Sequence, residues 1–444
     1  MASRRDDGGY SIGAGAGFAG DRIEPAVRMA ESGEVDAIAL ECLAERTLIN
    51  ALRARRISAE GGYDPRLVRR FRPLLPHVAR GCRVVTNLGA ANPAAAGRAA
   101  RRLALALGLP ALRIAAVIGD DVLERVREVE WTQPIEDGEW IGAHAYLGLE
   151  SIVAALADGA DVVVTGRVAD SSLVAAAPMQ ALGLEGQALA GALAVGHLLE
   201  CGGQLTGGNL TEPGVPDLPA EALASLGYPV ADIAPDGSAT IRLLDGQPGR
   251  LNVVSSTLQL LYEVHDPHAY FTPDAVLDFT GIRLEATGHN RVRMSGARAA
   301  PRPERLKVIG FLARRGVIAD VEIAYAGTGA LARARLAADV LRLRLARELG
   351  LNDFLVDLVG VDSVLGAGSR PLVSEPPELR VHVSARCDDA EIAQAVEDEV
   401  YALTLSGPSG GSGLRSERRP RVESITGFLP RDQVVGRIEW ANDR

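Results

Sequence analysis

A chain of 444 residues exceeds the size at which one hydrophobic core keeps growing, so two domains are expected, and a composition 47% hydrophobic and 23% charged is that of a globular protein. The formal net charge of −10 argues against a nucleic-acid partner, because binding to a phosphate backbone draws its affinity from clustered cations. No run approaches the roughly 18 apolar residues of a spanning helix, so no membrane partner and a cytoplasmic location are expected.

The N-terminal stretch IGAGAGFAGDR (12–22) spells G-x-G-x-x-G at Gly15, Gly17 and Gly20, the fingerprint of a dinucleotide-binding turn. That fingerprint needs a buried strand before it. Only Tyr10, Ser11 and Ile12 lie between the polar RRDDGG and the first glycine, so the strand reads as short. This argues against a nicotinamide or flavin cofactor, although a helix from about Asp21 to Gly33 and the acidic Glu41 would suit one. No cofactor is expected.

From 10 to 235 short apolar runs alternate with Ala/Leu-rich helical segments, the pattern of an α/β domain whose parallel sheet is flanked by helices. Strands are expected at 10–13, 36–40, 83–86, 113–117 and 161–165, each followed by a polar or glycine-rich turn: GAGAGFAGD, ECLAERT, NLGAANP, IGDD and GRVADSS. Parallel strands deliver such turns to one sheet edge, where open α/β sheets bind ligands. Glu41, Asn87, Arg167 and Asp170 are therefore expected to line one pocket.

Beyond 235 the pattern becomes that of a smaller α+β domain (236–444) with mostly antiparallel strands, expected to complete the cleft. Alternation at 239–255, 276–295 and 306–325 reads as strands, the last as a hairpin around ARRGV. An amphipathic helix is expected at 329–349, with Leu331, Ala334, Ala338, Leu341 and Leu345 on one face. Strands at 354–361 and 379–386 and a helix at 388–404 follow, then SGPSGGSG (406–413), which reads equally as a disordered loop, a lid or an anion-cradling turn.

Three stretches could carry chemistry. In GRVADSS, Arg167 could fork onto a carboxylate or phosphate, Asp170 could act as a base or cap a helix while pairing with Arg167, and Ser171 and Ser172 offer hydroxyls. In GHLLECGGQLTGG, His197 and Glu200 share a helical face, as core support or as a proton-handling pair; no third ligand accompanies them, so no metal is expected. Cys201 beside them reads as a small apolar residue or a nucleophile, and Gly207 and Gly208 as points of close backbone approach. In YEVHDPHAYFTPD, Tyr262, Glu263, His265, Asp266, His268 and Tyr270 put carboxylates next to imidazoles, although HDP also reads as a turn. The four cysteines, Cys42, Cys82, Cys201 and Cys387, lack C-x-x-C spacing, and Lys307 is the one lysine open to Schiff-base chemistry.

GFAGDR, LAERT, VTNLGAANP, GRVADSS, GHLLECGGQLTGG, GYPVAD, YEVHDPHAYFTPD, AYAGTGALARAR and GPSGGSG, in this order, resemble the acyclic terpene utilisation (AtuA) family from about residue 10 to past 430. The resemblance implies breakdown of citronellol- and geraniol-type terpenoids as acyl-CoA thioesters, or a related acid-degradation or natural-product role. A lyase acting on a branched 3-hydroxyacyl-CoA is the activity it suggests. It implies no nicotinamide or flavin, so Gly15 and Gly17 read as a glycine turn at the ligand edge whose N–H groups could hold a carboxylate or phosphate. Longer members carry a small extra C-terminal domain, which implies a separate small partner chain here, or a function without it; a homo-oligomer is also expected.

The combined expectation is a lyase, of hydro-lyase or carbon–carbon type, on a small branched acid or its acyl-CoA thioester. Asp170 and His265 would serve as base or acid, Arg167 and the glycine turn would bind the anion, and Glu200 and His197 would orient. Glu41, Asn87, Ser171, Gly207, Gly208 and Tyr262 would complete the substrate site. The alternatives are a hydrolase using Ser171 or Cys201 and a non-catalytic acyl-ligand-binding subunit.

Overall fold

The computed structural model describes residues 8–211, 214–366 and 374–442. The chain divides into two compact units, one comprising residues up to Pro134, Ile141–Phe311 and Ser424 onward, the other Ile135–Trp140 and Leu312–Glu423.

The larger unit is built on a ten-stranded mixed sheet. Five strands run parallel in the order Tyr10–Ala16, Ala37–Leu40, Arg83–Thr86, Val162–Thr165, Ile114–Ile118. Antiparallel strands extend it, Val230–Ile233 beside Tyr10–Ala16 and Arg437–Trp440 beside Ile114–Ile118. Alternate residues of one strand serve opposite faces: Val84, Ile114, Val162 and Val164 join the cluster around Phe71 and Leu74, and Val85, Ala115 and Val163 the cluster around Ile152, Leu173 and Leu193. Both faces are covered by helices, so the strands read as continuous apolar runs. Each fully buried Val or Leu contributes roughly 1.5–3 kcal/mol.

Two expectations for this unit need correction. The first strand is not short. Its seven residues, YSIGAGA, are all buried, and Gly13 and Gly15 lie inside it, where Cβ atoms would meet Met29 or Ile38 and Leu40. The glycines tighten strand against helix instead of forming the turn, and the helix starts only at Glu24. Second, Ala239–Arg242, Arg283–Gly288 and Arg291–Ser295, expected in a separate domain, continue the first sheet. The alternation expected over 239–255 also ends early: Val253–Leu261 is a helix capped by Asn252, whose side chain accepts from Ser255 N at 2.8 Å.

The smaller unit holds an antiparallel layer of Phe354–Val359, Glu378–Cys387 and the C-terminal part of Arg305–Ala326, covered by the helices Ala330–Arg347 and Ala390–Ser406. Leu331, Ala334, Ala338, Leu341 and Leu345 are buried in its core. The expected hairpin around ARRGV does not form: Arg305–Ala326 is one strand. Gly316, at φ 96°, makes a bend in which any Cβ would meet the Cys387 carbonyl, and residues 317–326 pair with Glu378–Cys387 instead of folding back. SGPSGGSG is an ordered connection, with Arg333 Nη1 donating to the Ser409 carbonyl at 3.0 Å. Among the described residues no helix is long and apolar enough to cross a membrane.

Candidate active site

The parallel strands of the larger unit end at a cleft of about 830 Å³. Gly17 and Phe18 reach it from the first strand, Glu41, Leu43 and Glu45 from the second, and Arg167, Asp170 and Ser171 from Val162–Thr165. Glu200 and Cys201 arrive from the end of the helix Gly186–Leu199. Tyr262, Glu263, His265, Tyr270 and Phe271 form a second wall; Tyr146, Arg305, Lys307 and Phe428 complete the lining. Its size and aromatic lining suit a small organic ligand.

Arg167, only 3% exposed, is the centre of the charged wall. Its Nη1 donates to Leu43 O at 2.5 Å, its Nε and Nη2 to Val168 O at 3.2 and 3.0 Å, and its Nη2 to Asp170 Oδ1 at 2.6 Å. Its backbone N–H donates to Asp120 Oδ2 at 2.8 Å, and the same oxygen lies 2.8 Å from Nδ1 of the buried His144. The guanidinium is thus largely spent on the protein. Its main effect is to hold Asp170 and the Leu43 turn rather than to offer an open fork to an anion. Asp170 is the first residue of its helix, after the N-cap Ala169, and its side chain pairs with Arg167.

Burial pushes the Asp170 carboxyl well above the usual carboxylate range, against the pull of Arg167, with Glu41, Glu200 and Glu45 adding to the rise. Burial likewise raises Glu41, again against Arg167. Glu41 Oε1 accepts from Leu43 N at 2.7 Å and Asn87 Nδ2 at 3.0 Å. Asn87 itself is fully buried, its Oδ1 accepting from Cys42 N at 2.7 Å. It stands behind Glu41 and off the cleft lining, whereas it was expected to line the pocket.

The glycine turn is held by its own side chains. Gly17 N–H donates to Asp21 Oδ2 at 2.8 Å, Tyr228 hydroxyl donates to Asp21, and the buried Arg70 donates to the carbonyls of Ala19 and Asp21 at 2.9 and 2.8 Å. With Gly17 N–H occupied, the turn is not the open anion cradle expected. Gly17 is needed for another reason: a Cβ there would lie 2.4 Å from the Cys201 carbonyl carbon. Gly15 is off the cleft inside the strand, and Gly207 and Gly208 pack against Leu218 and Leu226.

His197 is also off the cleft lining, fully buried, its ring tilted against Tyr270 at 4.8 Å and stacked on Phe279 at 5.5 Å. Its Nδ1 lies 2.9 Å from Glu200 Oε1 but out of line for a hydrogen bond. Burial disfavours its charged form, yet Glu200 outweighs that and the net shift is upward. It supports the floor of the site. Burial, with Glu200 nearby, pushes the Cys201 thiol up to about 12, which weighs against a nucleophilic cysteine. Glu263 stands on the rim with a left-handed φ of 59°, uncommon for a non-glycine residue.

Residues 10–440 match the family described as acyclic terpene utilisation family protein AtuA. The chain belongs to the AtuA family. No curated protein and no solved structure matches it. Membership associates the chain with acyclic terpene utilisation. Sequence reading missed Tyr146, Arg305 and Phe428 in the AtuA cleft, because they lie in, or in the case of Tyr146 just after, strands outside the parallel set. For Lys307 the one signal was its being the chain's only lysine.

Proposed function

We propose that the cleft is the active site of a lyase, of hydro-lyase or carbon–carbon type, acting on a branched acid or its acyl-CoA thioester in acyclic terpene utilisation. The observation that carries this is the pair Glu41 and Asp170, two carboxyls of raised pKa on one wall of an aromatic-lined cavity, with Arg167 between turn and helix. A carboxyl whose protonated form is favoured by burial can give a proton as well as take one. In elimination, a carboxylate takes the proton α to the carbonyl while a carboxylic acid protonates the departing hydroxyl, releasing water and the unsaturated acid. In carbon–carbon cleavage, a carboxylate takes the 3-hydroxyl proton, the bond between carbons 2 and 3 breaks to give a carbonyl product, and the acid protonates the enolate. His265 on the opposite wall can act as the second proton-transfer group, and Phe18, Tyr270 and Phe271 accept the hydrocarbon portion.

The test is incubation of the purified protein with synthetic branched 3-hydroxyacyl-CoA thioesters, with water loss or chain cleavage followed by mass spectrometry. Turnover that vanishes in Asp170→Asn supports the reading. Full turnover in that variant removes Asp170 from the chemistry, and tight binding without turnover in the parent protein replaces a lyase with an acyl-ligand-binding subunit.

A further inference from the structure

Three cations line the cleft, and they differ in how far they are committed. Arg167 is bonded to Asp170 and to two carbonyls, and Arg305 Nη2 lies 2.6 Å from Glu130 Oε2. Lys307 has no carboxylate within ion-pair distance among the described residues; its ammonium lies over the Tyr146 ring, 4.8 Å from the centroid. The same ring has the Arg167 guanidinium at 4.6 Å, and its hydroxyl donates to Glu45 Oε1 at 3.2 Å. Arg305 and Lys307 are two positions apart on one strand and so project from the same face. The Tyr146 backbone N–H donates to the Lys307 carbonyl at 2.8 Å, which ties the lysine's strand to the cleft wall.

We infer that Lys307 is the anion seat of the cleft: it binds the negatively charged group of the ligand, a carboxylate or a phosphate, while the ligand's neutral reacting end faces Asp170 and Glu41. The inference rests on the lyase reading for the role of the acidic wall, but the lysine's own role does not need it. An ammonium above an aromatic face is held in place without being neutralised, which leaves its charge available to an incoming anion. A partnerless carboxylate ligand would meet repulsion from Glu41, Glu45, Asp170 and Glu200 elsewhere on this surface, so the cationic lip determines which end enters first.

Because Lys307 is the only lysine, an acetylating reagent modifies it and otherwise only the α-amino group, and a single peptide reports its accessibility by mass spectrometry. The probes are 3-hydroxy-3-methylbutyrate, its uncharged methyl ester, and coenzyme A. Protection of Lys307 at least threefold by the carboxylate or by coenzyme A, and not by the ester, is the expected result, and whichever protects identifies the anion as carboxylate or phosphate. Lys307→Gln should then weaken that probe at least tenfold by calorimetry, with Lys307→Arg retaining part of the affinity. Lys307 is exposed and its backbone bond survives both changes, so folding is not at issue. Absence of protection by every anion, or unchanged affinity in Lys307→Gln, overturns the inference. The parent protein separates it from the lyase reading: protection with turnover supports both, whereas protection of Lys307 without any turnover removes the lyase reading and leaves Lys307 as the anion site.

Discussion

The acidic wall of the cleft and the His382 cluster in the smaller unit use the same residue types to opposite ends. In the smaller unit, His382 Nε2 lies 3.1 Å from Asp320 Oδ1 and its Nδ1 3.2 Å from Asp357 Oδ1, so both ring nitrogens are occupied across three adjacent strands, and Arg419 also pairs with Asp320. Burial opposes the charge on His382, but its hydrogen bonds to Asp320 and Asp357 prevail and its pKa rises. That cluster is closed, with cations facing carboxylates on every side. On the cleft wall one buried arginine faces four carboxylates, Glu41, Glu45, Asp170 and Glu200, and of these Glu41 and Asp170 are shifted upward. A surplus of carboxylates over cations, opening on a cavity, marks groups available for proton transfer; a balanced cluster marks structure.

The largest effect expected from this difference is at Asp170. Asp170→Asn preserves an oxygen for Arg167 but cannot carry a proton, so turnover on a competent substrate should fall by about 10²–10⁴-fold, the usual range for a general acid or base. Steady-state rates alongside a melting curve check this. The melting temperature should hold or rise, since the substitution removes a carboxyl whose ionisation burial opposes. A variant that loses stability while keeping its rate per folded molecule would place Asp170 among structural pairs like that of the smaller unit.

Next is Arg167. Arg167→Ala should lower stability in chemical denaturation, because it leaves the half-buried Asp170 and Glu41 without their cation and frees the Leu43 and Val168 carbonyls. Arg167→Lys keeps the charge but not the planar fork, and should lose less stability while still misplacing Asp170. Equal loss in the two variants would mean that the hydrogen-bond fork, and not the charge balance, sets the wall.

Much of this wall was legible in the sequence, because a parallel sheet brings the ends of its strands to one edge. Glu41, Arg167 and Asp170 each follow an apolar run, and the structure brings them to one cleft. Burial behind that edge was not legible: Asn87 occupies the equivalent position after its strand, yet its two bonds turn it away to hold Glu41 and Cys42 N. Gly15 misled for a related reason, since glycine in a turn and glycine in a strand crowded by Ile38 and Leu40 look alike until the neighbours are known. Lys307 and Tyr146 could not be placed at all by counting strand ends, because neither follows one of the parallel strands. In the smaller unit the helix face from Leu331 to Leu345 was plain from its period, whereas His382, Asp320 and Asp357 meet only through cross-strand register, which distant sequence segments do not reveal.

The smallest expected effect is the most direct comparison of the two regions. A raised folded-state pKa means in both places that the folded protein holds its proton more tightly, so each group's contribution to stability falls as pH rises. For His382 the contribution is complete below the ordinary imidazole value of 6.5 and is lost as pH climbs through its higher folded value. For Asp170 the decline begins above the ordinary carboxyl value of 3.8. Substitution by a neutral amide separates them. His382→Gln removes a favourable charge and should cost about 1 kcal/mol at pH 6, the histidine being partly exposed, and almost nothing well above its folded pKa. Asp170→Asn removes an unfavourable charge, so its advantage over the parent should grow with pH. Hydrogen exchange in Phe354–Val359 and Glu378–Cys387, the strands of Asp357 and His382, measured across this range with each variant, reads the first effect locally. If exchange there is unchanged by His382→Gln at pH 6, the ion cluster contributes no net stability, and the contrast between a balanced structural cluster and an acid-rich reactive wall would rest on the cleft alone.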